Sequence, residues 1–313
     1  MAIPSDALNP MVDPAPAGAP TGSPIDETRA PSRFGLIVKR FVRKKLALTG
    51  LAVLVLLFLL AFFGPLLNNW SYDSHDFNNL LTGPSSTHWF GTTQTGSDMF
   101  ELCMRGMQKS MITGLIAAIF ATGVAAIVGA FAGYLGGWVD RILMWIVDLL
   151  LVIPSFLILA IMSPFYKDGG FLLFVALLGA FLWMVTARIV RGLTISLRER
   201  EYVLAARYMG VSTPRIIVRH ILPNISSLLI VDATINVSAA VILETFLSYF
   251  GFGIQPPDVS LGTLIADGSS SATTYGWLFG FPGGLLVMIV LAVNLVGDGL
   301  RDALDPSSGS ASA

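Results

Sequence analysis

From residue 46 onward the chain alternates long apolar runs with short polar stretches. A helix crossing a ~30 Å hydrocarbon layer at 1.5 Å per residue needs about 20 apolar residues. Six stretches have about that length: Leu46–Leu67, Met111–Leu135, Ile142–Met162, Phe171–Val190, Ile225–Phe250 and Leu278–Val296. Each is apolar around its whole circumference, which predicts membrane spans rather than amphipathic surface helices. The runs are long and continuous, unlike the short alternating segments of a spanning β-barrel. The second run carries Gly114, Ala117, Ala118, Gly123, Gly129 and Gly133. Small residues let helix backbones approach closely, so this span is expected inside a bundle. The predicted fold class is an all-α integral membrane protein with six transmembrane helices.

Four segments follow from this pattern. Residues 1–33, rich in Pro, Ala, Ser and Gly, are expected to form a disordered tail; they lack the basic start of a signal peptide. Residues 34–110 hold a basic segment, the first span and an outer loop. Residues 111–306 hold the other five spans, and 307–313 form a short tail. Span 1 is too long for a cleaved signal core and follows a basic cluster, Lys39–Lys45, so it is expected to be an uncleaved anchor.

Composition supports the same picture. Hydrophobic residues make up 54% of the 313 and charged residues 12%, with a mean hydropathy of +0.73. Soluble domains carry roughly 25% charged residues. So few charges cannot cover a water-facing surface, which excludes a soluble enzyme, a disordered protein and a disulfide-stapled secreted domain. The lone Cys103 has no partner for an internal disulfide.

Net charge, at −1, is uninformative, but the placement of cations is not. With a cytoplasmic N-terminus, six spans bring the C-terminus back to the same side. Every Lys and Arg except Arg105, Lys109 and Lys167 then falls on the inner face. Basic residues are retained on the cytoplasmic side, so this topology is favoured over its inverse.

The chain has no G-x-x-x-x-G-K-[ST] phosphate loop and no paired Cys/His ligand set. His75, His88 and His220 are too scattered for a metal site and suit loop or helix-end roles. The largest inner loop, residues 191–224, is too short to be a nucleotide-binding domain. Any energy source must therefore be a partner or an ion gradient.

That inner loop is nevertheless informative. Residues 198–209 favour helix, and Gly210 fits the left-handed C′ position. Thr213 can cap a second short helix with Pro214 in its first turn, and Pro223 limits it before span 5. Tyr202, Ala205, Ala206 and Met209 share one face by helical periodicity. That face could enter a groove on another protein. Alternatively the helix lies on lipid headgroups, with Arg198, Arg200 and Arg207 on phosphates.

Ionisable and amide side chains inside spans are costly and default to functional candidates. They are Asp148, Asp232 with Asn236 one turn on, Glu244 and Asn294, with Asp298 just beyond. They line a pathway or subunit interface, or else fix packing. For Asp298 the expected partner is Arg301, three residues on.

The stretch Glu201-Tyr202-Val203-Leu204-Ala205-Ala206-x-x-x-Gly210, followed by Arg219-His220-Ile221-Leu222-Pro223-Asn224, resembles the EAA loop of ABC importer permeases. Leu204 stands where that pattern has Glu, and His220 where it has Ile. Four further stretches resemble the dipeptide, oligopeptide and nickel branch of that family. They are His88-x-Phe90-Gly91-Thr92-x-x-x-Gly96-x-Asp98, Gly136-Gly137-Trp138-Val139-Asp140, Gly251-Phe252-Gly253-Ile254-Gln255-Pro256-Pro257, and the run from Asn294 to Pro306. Thr93 and Ser97 depart from the usual Asp and Arg of the first. All five occur in order and at matching topological positions, in the form of the second, C-type permease.

The resemblance implies a type I importer permease in a bacterial inner membrane, multi-pass, with both termini cytoplasmic. Its implied partners are a paralogous permease (a heterodimer), two ATPase subunits or domains, an extracytoplasmic binding protein, a peptide substrate and membrane lipid. No nucleic acid is implied. ATP and magnesium would sit on the ATPases, with no cofactor or metal on this chain and no catalytic residues. The docking surface is expected at Tyr202, Ala205, Ala206, Met209 and Gly210. Glu201 and Arg207 would form its rim, and Leu222 and Pro223 would tie it to span 5.

Two other classes compete. An ion-coupled secondary transporter would use Asp148, Asp232 or Glu244 as proton carriers. Such carriers often show two related halves, and no repeat is visible. An intramembrane enzyme would need a paired catalytic set within the spans. All three histidines lie outside them, and Asp148 and Asp232 carry no such motif.

Overall fold

The computed structural model describes residues 33–304, and among these every regular element is helical. The expected tails lie outside the described residues, except that Arg33 opens the first helix. Eleven helices follow in order: α1 (Arg33–Val42), α2 (Lys45–Phe63), α3 (Met99–Leu135), α4 (Gly137–Val152), α5 (Ser155–Gly169), α6 (Phe171–Arg198), α7 (Glu201–Tyr208), α8 (Thr213–Ile216), α9 (Leu222–Tyr249), α10 (Leu261–Ser269) and α11 (Gly276–Leu304). A 3-10 turn, Gly64–Leu67, ends α2, and a π-helical turn, Ile217–Ile221, joins α8 to α9.

Five stretches are helical, long and apolar enough to cross a membrane unbroken: Lys45–Leu67, Met99–Leu135, Phe171–Arg198, Thr213–Tyr249 and Gly276–Leu304. The third expected span is different. It breaks into α4 and α5 with an 85° bend, so it supplies a sixth crossing only if both arms form one span. Pro154 causes the break. Proline disfavours the helical region at the residue before it, and Ile153 is extended (φ −82°, ψ 125°).

The centre of the bundle is α3, as its small residues predict. Ala117, Ala118, Ala121, Ala125 and Ala130 are wholly buried. A Cβ added at Gly133 would lie 2.6 Å from the Arg191 carbonyl of α6, and one at Gly114 would lie 2.6 Å from Val241 of α9. The close approach of α3 to α6 and α9 therefore requires glycine at these points. Gly123 faces open space and has no such role.

Three apolar clusters hold the bundle together. The first joins α2, the N-terminal end of α3, α10 and α11 around Met99, Met104, Met107 and Leu261. The second joins α5, α6 and α9 around Leu159, Leu178 and Leu247. The third lies at the opposite end, where Val203 and Ala206 of α7 pack on Ile216, Ile217 and Ile221.

Helix α3 starts twelve residues before the expected span. Asp98 caps it by accepting from the Glu101 N–H at 3.0 Å. The wholly buried His88 bonds Asp98 through Nδ1 at 2.7 Å. The outer-loop motif therefore builds a helix start, and His88 has the helix-end role expected of it. The short helix α10 is a further addition. Its capping box runs from the Thr263 N–H to Ser260 Oγ and from the Ser260 N–H to Thr263 Oγ1.

Candidate functional site: the inner elbow and the intramembrane acids

Helix α7 forms an elbow between α6 and α9. It is only eight residues long, which is marginal for an isolated helix, so its order comes from its ends and its buried face. The C-terminal end is a Schellman motif. Gly210 has φ +78°, its N–H bonds the Arg207 carbonyl at 3.0 Å, and the Val211 N–H bonds the Ala206 carbonyl at 3.1 Å. Val211 then packs with Ala206 in the inner apolar cluster, as this motif favours.

Helix α7 is rotated from the expected orientation. Val203 and Ala206, at 1% and 2% exposure, form the face turned into the bundle. Ala206 is therefore a packing residue and not part of an outward docking face. The outward face holds Glu201, Tyr202, Ala205, Arg207, Tyr208 and Met209. Tyr208 is 86% exposed and Met209 76%. Periodicity identified which residues share a face but not which face turns inward, so Tyr208 was missed. The signal available was the spacing of Tyr202, Ala205 and Tyr208 at i, i+3 and i+6, opposite Val203 and Ala206.

Beyond the elbow, Ser212 rather than Thr213 occupies the N-cap position, and Thr213 and Pro214 open α8. The second helix does not stop at Pro223. The π turn at 217–221 precedes Leu222 and Pro223, which lie in the first turn of α9, where a missing N–H is tolerated. Thr213–Tyr249 is thus one rod of 37 residues. Leu222 packs on the inner cluster, whereas Pro223 is exposed. Tyr202 leans towards His220, with ring centroids 6.5 Å apart.

Polar clamps fix the rod's neighbours. Arg191 of α6 grips both carboxylate oxygens of Asp140 on α4, its Nη2 lying 2.5 Å from Oδ2. Arg198 Nη1 donates to the Gly133 carbonyl at the end of α3, at 3.1 Å. Helix α6 therefore runs eight residues past its expected apolar end, to Arg198, and shortens the inner loop.

The intramembrane acids do not converge. Asp148 on α4 pairs with Arg188 on α6, and both are more than half or about half exposed. Asp232 and Glu244 sit twelve residues apart on α9, about 18 Å along its axis. Glu244 is completely buried and accepts from Ser110 Oγ of α3 at 2.9 Å and Ser248 Oγ at 2.7 Å. Ser248 Oγ also accepts the Ile254 N–H at 3.2 Å, so this chain joins α3, α9 and the following loop. Asp232 accepts from Thr186 Oγ1 at 2.7 Å, Asn236 Nδ2 at 2.8 Å and Thr122 Oγ1 at 3.3 Å. Asn294 is exposed on α11. Asp298 and Arg301 form no ion pair with each other among the described residues. The separation of Asp232 from Glu244 gives no direct proton relay between those two.

A second charged cluster, not anticipated, lies at the far end of α3. Asp258 bonds Arg105 Nη2 at 2.8 Å and Lys109 Nζ at 2.7 Å. Burial works against ionisation of Asp258, but the hydrogen bonds and charges of Lys109 and Arg105 outweigh it, so its carboxyl lies below the ordinary range. These are two of the three cations excluded from the inner face by the sequence. Among the described residues no group of three or more His, Cys, Asp or Glu side chains is arranged to hold a metal ion.

Comparison with known proteins adds to this geometry. Residues 125–309 match the family model described as binding-protein-dependent transport system inner membrane component. Residues 32–84 match the N-terminal TM domain of oligopeptide transport permease C. The oligopeptide transport system permease protein OppC of Mycobacterium tuberculosis (strain H37Rv) is 56% identical over 284 residues, which is 90% of this chain and 98% of the relative. OppC of Bacillus subtilis is 37% identical over 296 residues, covering 95% and 96%. The dipeptide transport system permease protein DppC of Alkalihalophilus pseudofirmus is 36% identical over 306 residues, covering 96% and 98%.

Proposed function

Because the chain belongs to the family of binding-protein-dependent transport system inner membrane components, we propose that it is one of two permease subunits of an ATP-driven peptide importer. Its sister is a paralogous permease, and the two together enclose the translocation pathway. Two ATPase subunits or domains bind ATP and magnesium. A binding protein on the outer face delivers the peptide. The chain sits in a bacterial inner membrane as six spans, the bent α4–α5 pair counted as one, with both termini cytoplasmic. The retention of cations at the elbow end supports that orientation. The peptide cargo is supported by relatives named for oligopeptide and dipeptide transport, which match nearly the whole chain.

One observation carries the mechanism. Helix α7 presents Tyr202, Ala205, Tyr208 and Met209 outward while Val203 and Ala206 fasten it to the start of the α8–α9 rod. A partner gripping the outward face moves the rod, because the Schellman corner and the buried face leave α7 little freedom to turn alone. ATP can bias inward-open against outward-open states only by contacting them differently. A stiff elbow makes that difference in contact act on a span that crosses the membrane.

The test removes the two most exposed large side chains. Tyr208→Ala with Met209→Ala leaves the packed face of α7 untouched. Truncating aromatic anchors at an interface centre costs about 2 kcal/mol or more, about thirty-fold in affinity. The double variant is expected to insert and retain its sister permease. It should lose bound ATPase on purification, and peptide uptake should fall by about ten-fold or more. Normal uptake and normal ATPase retention in a well-expressed variant would remove α7 as the docking element.

A further inference from the structure

A cavity of about 410 Å³ opens along one face of α9, between α6 and the end of α11. That volume lies within the range of small-molecule sites, about 300–1,000 Å³. Its walls are mainly aliphatic, with Ile189, Leu228, Val231 and Ile235 among them. Two charged side chains interrupt the apolar lining: Asp232 of α9 and Arg301 of α11.

Among the described residues neither side chain has an ion-pair partner, and Arg301 is exposed at the end of α11. The donors that bond Asp232 are the hydroxyls of Thr186 and Thr122 and the amide of Asn236, all neutral. They orient the carboxylate without compensating its charge. Arg301 forms no ion pair among the described residues. An interhelical hydrogen bond in a membrane bundle is worth about 0.6 kcal/mol on average, so the two from Thr122 and Thr186 are a weak reason to keep a carboxylate within a span. An acid held at such a cost defaults to function.

We propose that this cavity is a subsite on the permease for a short zwitterionic peptide, in which Asp232 receives the N-terminal ammonium and Arg301 the C-terminal carboxylate. The inference rests on the peptide-permease reading above and specifies what its pathway recognises. Peptides of different sequence share only their backbone and their two charged ends. A cavity with one group for each end and aliphatic walls holds them without selecting among side chains. Burying one end without its partner group leaves an unpaired charge, which gives the subsite a preference for free termini.

The experiment uses the complete complex in nanodiscs, without nucleotide, carrying Ser227→Cys in this chain. Ser227 lines the cavity. The native Cys103 is completely buried, so the introduced thiol is the accessible one on this chain. Its maleimide labelling rate is read on the isolated chain by mass, with trialanine or N-acetyl-trialanine amide present. Trialanine is expected to protect at concentrations about ten-fold or more below those needed by the blocked peptide. Asp232→Asn should abolish the preference for a free N-terminus, and Arg301→Gln the preference for a free C-terminus, tested with singly blocked peptides. Equal protection by free and blocked peptides overturns the subsite. So does an unprotected thiol in a complex that, with its binding protein, imports trialanine on ATP. Failure of the unsubstituted complex to import any peptide on ATP strikes the permease reading itself and takes the subsite with it.

Discussion

At the scale of single residues, Gly210 shows how little chemistry the elbow needs. A Cβ there would meet nothing within 4 Å, so space is not the constraint. The constraint is the backbone, at φ +78°, where an L side chain costs about 1–2 kcal/mol. Gly210→Ala should therefore insert normally and weaken α7 by about 1 kcal/mol. Faster hydrogen exchange of the amides at 203–211 would report it, and unchanged exchange would contradict a left-handed corner. Gly210 and its conformation were legible because a helix followed by glycine is a local signal. The burial of Ala206 was not, because it depends on Ile216 and Ile221, which reach it only through the fold. The partners of Asp232 were hidden for the same reason. Thr122 and Thr186 lie 110 and 46 residues away in sequence.

At the scale of elements, hydropathy found every long helix but not how each begins, ends or bends. Helix α3 begins with Asp98 and α6 ends at Arg198, both polar positions beyond an apolar run. The break at Pro154 carried a local signal, since proline restricts the residue before it, yet the surrounding apolar run concealed it. Helix α10 had its Ser260/Thr263 box as a signal, but its nine residues are too few to register as a span. The loop before α10 is held by a distinct device, the pairing of Asp258 with Arg105 and Lys109 on α3. The folded-state pKa of Asp258 is depressed, so its stabilisation is complete above the unfolded carboxyl value, about 3.9, and is lost as pH falls through the folded value. The pair is one-third exposed, which limits its size. Thermal unfolding of the wild type and of Asp258→Asn should differ by a constant amount above about pH 5, and the two should converge in acid. A gap that widens as the pH falls would contradict the ion pair.

At the scale of the whole molecule, the chain is a bundle built on α3, with an elbow at one end and a capped outer loop region at the other. The sequence contains no phosphate loop, and Asp232 and Glu244 lie about 18 Å apart along α9. On the function proposed above, movement is supplied by a partner and received at the elbow. The most direct test is uptake into liposomes. The chain reconstituted with its sister permease and ATPases, with binding protein added, should accumulate labelled peptide only when ATP is supplied on the ATPase side. The chain alone should accumulate none under any ion gradient. Sustained uphill accumulation by the chain alone, driven by a proton or sodium gradient, would contradict the account.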